Sequence, residues 1–98
     1  MDQQNPNQQK INIKATDEIL KGHYANNLMA AHSREEFILD FINLMPPQAN
    51  LISRIITSPG HMKRIVTALQ DNLKKYEDKF GRIEQAEAPK QEGIGFRT

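Results

Sequence analysis

Residues 58–81 read SPGHMKRIVTALQDNLKKYEDKFG, and this sequence predicts one long amphipathic helix. Ser58 is a favoured N-cap residue, and Pro59 suits the first helical position, where no amide donor is needed. Gly81 can adopt the positive φ that commonly ends a helix. Between these ends the apolar residues share one face of a 3.6-residue helix. They are Met62, Ile65, Val66, Leu69, Leu73, Tyr76 and Phe80.

This apolar face predicts a contact with a sheet or with a second subunit. We expect the packing or oligomer face to comprise Met62, Ile65, Leu69, Asn72, Leu73, Tyr76 and Phe80. Asn72 is its polar member, on a seam whose 4-3-4 spacing resembles a heptad. A polar residue in such a seam can fix the register of a helix pair. Alternatively, its amide caps a strand or loop within one subunit.

The opposite face of the helix is rich in basic residues. Residues 59–82 hold six basic and three acidic side chains. A phosphate-binding face is conceivable, which would make nucleic acid a partner. The acids are interleaved with the bases, however, and no aromatic residue is available on that face for base stacking. A solvated face is therefore favoured. The candidate phosphate-binding residues are Lys63, Arg64, Lys74 and Lys75.

The residues before this helix are typical of strands. Residues 51–57 are short, β-branched and bounded by prolines, and residues 11–15 alternate apolar with polar side chains. Residues 24–31 also favour a strand. Residues 33–45 are ambiguous, because Ser33 and Glu36 can form a helix capping box while Phe37, Leu39 and Phe41 also suit one side of a strand.

The composition limits the size and class of the protein. Its 98 residues allow one domain, and no apolar run is long enough to cross a bilayer. The chain has no cysteine and a formal charge of +1, which excludes disulfides and gives no overall attraction to nucleic acid or membranes. We expect disordered tails at 1–9 and 83–98 around a single domain at 10–82, in a cytoplasmic protein. So small a core favours oligomerisation.

The candidate chemistry is sparse. The histidines His23, His32 and His61 could meet around a metal with Asp40 or Glu36, but none has the spacing of a ligand pair. We therefore expect surface histidines, no metal and no cofactor.

Other polar residues have ordinary structural explanations. Asp40 lacks a catalytic partner in the sequence, so we expect it to face solvent or to pair with Arg54 or Arg64. A ligand-binding role is conceivable for Tyr24, Asn26 and Asn27, although turn and edge positions explain the Asn26-Asn27 pair at least as well.

Five short strings carry a family resemblance. They are Tyr24-Ala25-Asn26, Glu36–Phe41, Ser58–His61, Leu69–Leu73, and Tyr76-Glu77 with Phe80-Gly81. In this order and spacing the chain, from Ile11 to Gly81, resembles the domain-of-unknown-function family 3467, small bacterial and archaeal proteins. The resemblance implies a β-rich first half followed by one helix, which favours a strand at residues 36–44. It supplies no catalytic residues.

Together these observations predict an α+β fold: a small antiparallel sheet of three to four strands followed by one long C-terminal amphipathic helix. The expected function is non-enzymatic: binding or scaffolding by protein–protein contact, as a homodimer or higher oligomer. A nucleic-acid-associated regulator that uses the basic helix face is one alternative. Another is a chaperone or adaptor, since a sheet with a terminal helix is similar in architecture to the SecB export chaperone.

Overall fold

The computed structural model describes residues 9–87. Its elements are α1 (Asp17–Lys21), β1 (Asn27–His32), β2 (Phe37–Met45), β3 (Gln48–Thr57) and α2 (Pro59–Phe80). The strands form one antiparallel sheet in the order β1-β2-β3. The predicted α+β class is therefore confirmed, with three strands. Most of the two predicted tails lies outside the described residues.

The predicted strand at residues 11–15 is wrong. These residues lie in no helix or strand, and Ile11 and Ile13 are 84% and 92% exposed. A strand needs a neighbour that pairs its backbone, and the three apolar residues of this segment bury too little surface to hold one there. The short helix α1 follows instead, with Thr16 Oγ1 accepting a hydrogen bond from the Ile19 amide at 3.2 Å.

The ambiguous segment forms β2, as the family resemblance favoured. Ser33 does not cap a helix: its hydroxyl accepts hydrogen bonds from the Glu35 and Glu36 amides at 3.2 and 3.3 Å. These bonds close the turn between β1 and β2. Pro46 and Pro47 form the turn into β3, which begins at Gln48, three residues before its predicted start.

The core lies in the central strand. Leu39, Ile42 and Leu44 are buried, and all three belong to β2. Because side chains alternate along a strand, Ile42 and Leu44 lie on one face of the sheet and Leu39 on the other. Only Ser58 separates β3 from α2, and no residue of α2 is buried. The fold therefore presents a long helix beside a small sheet.

Candidate functional site

The long helix has the ends that the sequence predicted. The Ser58 hydroxyl accepts a hydrogen bond from the His61 amide at 3.2 Å, and Pro59 occupies the first turn. At the other end Gly81 has a φ of 95°, and its amide donates to the Glu77 carbonyl at 2.9 Å. Each end of the helix thus has a local capping hydrogen bond, as its sequence predicted.

The apolar face of α2 is open to solvent. Large side chains on this face and in the residues just after it are 41–65% exposed: Val66, Leu69, Leu73, Tyr76, Phe80 and Ile83. Only Met62 and Ile65, near the start of the helix, are half-buried. Two packing partners were predicted for this face, the chain's own sheet and a second subunit. The sheet leaves most of the face uncovered. The predicted second subunit is still a prediction.

The spacing of this face is that of a coiled-coil seam. Steps of four and three residues alternate along the helix through Met62, Val66, Leu69, Leu73, Tyr76 and Phe80. We call these six residues the seam. The predicted packing face omitted Val66 and included Ile65 and Asn72. Ile65 and Asn72 lie beside the seam, because they directly precede its residues Val66 and Leu73.

A groove lies where the seam meets the sheet. Phe37 at the start of β2 lines it together with Pro59, Met62 and Val66, and the groove has a volume of about 660 Å³. It is open and mainly apolar. Sequence reasoning missed Phe37 because its approach to α2 depends on the tertiary path of the chain.

The far end of the seam carries an aromatic pair. The rings of Tyr76 and Phe80 lie 5.0 Å apart between centroids, within the favourable range for tilted rings. Lys79 Nζ lies 5.2 Å from the centre of the Phe80 ring. These contacts hold two large side chains together on the solvent side of the helix.

The candidate phosphate-binding face is divided by acidic residues. Lys63 and Arg64 line a shallow depression that also contains Asp71. Lys74 Nζ donates to Asp78 at 2.9 Å. The structure thus places carboxylates within the basic face, and it separates the two pairs of bases by a carboxylate. This arrangement gives the alternative of a phosphate-binding surface no added support.

Asp40 is buried and paired. Arg54 Nε and an Nη donate to the two carboxylate oxygens at 2.8 and 3.0 Å, a bidentate arrangement. Hydrogen bonding from Arg54 holds the pKa of Asp40 below its ordinary value and outweighs the opposing effect of burial. The predicted pairing with Arg54 is confirmed. Its alternative, a solvent-facing residue, is wrong, because Asp40 is 5% exposed. The Asp40 side chain thus forms an ion pair between β2 and β3.

Asn26 also has a structural role. Its side-chain amide donates to the Leu44 carbonyl at 2.9 Å and accepts from the Leu44 amide at 2.8 Å. Asn27 is the first residue of β1, and the nearby Tyr24 is 73% exposed. The predicted structural role at the sheet edge is confirmed for Asn26.

Within residues 9–87, no three histidine, aspartate or glutamate side chains are arranged to hold a metal ion.

Comparisons with known proteins add a family and nothing more specific. The family model described as Protein of unknown function (DUF3467) matches residues 1–85. Neither the curated proteins nor the solved structures contain a match. No helix of the described part of the chain is both long and apolar enough to span a membrane.

Proposed function

We propose that this chain, which belongs to the family Protein of unknown function (DUF3467), is a non-enzymatic cytoplasmic module that binds other protein chains and does so as a homo-oligomer. The observation that carries the proposal is the open seam of α2. The exposure of so apolar a helix face to water is unfavourable. Contact with the same face of a second subunit is the simplest way to bury it.

The exposed area of the seam is of the size that an interface needs. The largest apolar patch on a typical monomer covers roughly 300–600 Å² and is often a functional surface. The seam side chains are about half exposed, which gives roughly 400 Å² of apolar surface per chain from typical side-chain areas. Two such faces, with their polar rims, amount to roughly 1,300 Å² of buried surface, within the range of specific interfaces.

The small core supports the same proposal. The only large apolar side chains buried among residues 9–87 are Leu39, Ile42 and Leu44. Domains with so little buried apolar surface usually gain stability from disulfides, metals or a partner chain. Disulfides are excluded because the sequence has no cysteine. Association through α2 would supply the missing burial.

The molar mass in solution tests the proposal. We expect size-exclusion chromatography with light scattering to give a multiple of 11.2 kDa at micromolar concentration. The double variant Leu69→Ser/Leu73→Ser should run as a monomer, because it places two hydroxyls in the seam. A matched control, Arg64→Ser/Asp71→Ser, changes the outer face, preserves net charge and should keep the mass of the native chain. A native chain that is monomeric throughout this range contradicts the proposal.

A further inference from the structure

We infer that two copies of the chain pair their α2 helices antiparallel, with the two-fold axis between Leu69 and Leu73. The inference rests on the proposed function and specifies its interface. It follows from three features of α2: the order of large and small side chains along the seam, the groove beside Phe37, and the charges that flank the seam.

An antiparallel pairing fixes which seam residues meet. We call two seam residues that meet across the interface a layer. Because the two helices run in opposite directions, the residue numbers of the two members of a layer always add up to the same value. With the axis between Leu69 and Leu73, Leu69 meets the partner's Leu73 and Val66 meets the partner's Tyr76. Met62 then meets the partner's Phe80. Each layer occurs twice, and every seam residue of α2 has an apolar counterpart.

These layers match large side chains with smaller ones. Tyr76 and Phe80 are the largest side chains of the seam, and they meet Val66 and Met62, the residues that line the groove beside Phe37. The groove would receive the partner's aromatic pair. A parallel pairing would instead place Tyr76 against Tyr76 and Phe80 against Phe80, and it would leave both grooves without an aromatic occupant. Close packing therefore favours the antiparallel order.

The flanking charges favour the same order. In an antiparallel pair, residues on the same flank meet, so Lys63 lies beside the partner's Glu77 at both ends of the interface. The Glu77 carboxylate is held near the helix end, since its Oε2 accepts the Ile83 amide at 3.0 Å. Its second oxygen is available to the partner's lysine. In a parallel pair, Lys63 would face Ser58 and Glu77 would face Asn72, with no charge pairing.

Asn72 has a place in this arrangement. It flanks the seam on the other side, close to the two-fold axis, so the Asn72 side chains of the two copies face one another. Two amides can exchange hydrogen bonds there, because each side chain carries a donor and an acceptor. Asn72 would then lie at the subunit contact without interrupting the apolar seam.

Cysteine cross-linking tests the pairing directly, since the chain has no cysteine of its own. Val66→Cys and Tyr76→Cys are made separately, one of them with a size tag, and each is treated with a short thiol cross-linker alone and after mixing. Antiparallel pairing predicts covalent dimers only in the mixture, because residue 66 meets residue 76. Homodimers formed by either variant alone would establish a parallel pair and overturn the inference. An associated protein with no cross-linked species would overturn it as well.

A charge exchange provides a test that leaves the seam intact. Lys63→Glu and Glu77→Lys each put like charges together twice, and we expect each to weaken dimerisation roughly three- to tenfold at low salt. The double variant recreates opposite charges between copies and should recover most of the loss. Independent effects of the two substitutions would contradict the antiparallel register. If the native chain is instead a monomer, it is the proposed function that fails, and the two outcomes are therefore distinguishable.

Discussion

Replacing Leu73 with alanine separates the stability of the interface from that of the subunit. Leu73 lies at the middle of the seam and is 53% exposed within its own chain. Alanine is at least as good a helix former as leucine, so α2 itself should persist. The substitution therefore removes mainly the contact that the partner would make.

The size of the effect follows from this exposure. Burying a whole leucine side chain contributes about 1.5–3 kcal/mol, so the half that is exposed in the subunit contributes roughly 1 kcal/mol on association. In the proposed two-fold dimer this loss would occur twice. We therefore expect Leu73→Ala to weaken the dimer by about 2 kcal/mol, which corresponds to roughly 30-fold in Kd.

Sedimentation equilibrium over a dilution series would measure this Kd. The matched control is Leu28→Ala, since Leu28 in β1 is 51% exposed and loses the same atoms far from the seam. Circular dichroism would confirm that both variants keep their helix. A Kd for Leu73→Ala within twofold of the native value, or an equal loss in Leu28→Ala, would show that Leu73 does not lie at the interface.

Two substitutions test the polar contacts of the sheet. Because the pKa of Asp40 is lowered in the folded chain, its ion pair with Arg54 stabilises the fold above the ordinary aspartate pKa of about 3.9, and this contribution is lost as the pH falls through the lowered value. In denaturant melts, Asp40→Asn should thus be less stable than the native chain at pH 7, with the gap closing in acid; a constant gap would argue against the pair. Asn26→Ala leaves both backbone groups of Leu44 without their partner and should cost about 1–3 kcal/mol. Asn27→Ala is its control and should cost clearly less.

The long helix was predictable because its signals are local. Ser58, Pro59 and Gly81 mark its ends within one turn, and the apolar repeat fixes its face. The strand at β2 was not decided by its own residues, since Ser33 and Glu36 suit a helix start as well as a turn. The family resemblance favoured the strand. The hydrogen bonds that the Ser33 hydroxyl accepts explain why this residue closes a turn and does not cap a helix.

The errors share one physical cause, which is that strands and interfaces depend on distant partners. Ile11 and Ile13 alternate like strand residues, yet no strand within residues 9–87 pairs with them. The burial of Asp40 likewise depends on its place in the central strand, opposite Arg54. The predicted packing face that includes Asn72 stays a prediction, because only contacts with a partner chain would distinguish its 4-3-4 step through Ile65 from the seam.

The single residue between β3 and α2 has a consequence for the whole assembly. Ser58 alone joins each sheet to the start of its helix. The 22 residues of α2 span about 33 Å. In the proposed antiparallel pair the two helix starts would lie at opposite ends of this length, and the dimer would present two identical sheets about one helix length apart. A target with two matching sites at that distance would be held far more tightly than a target with one.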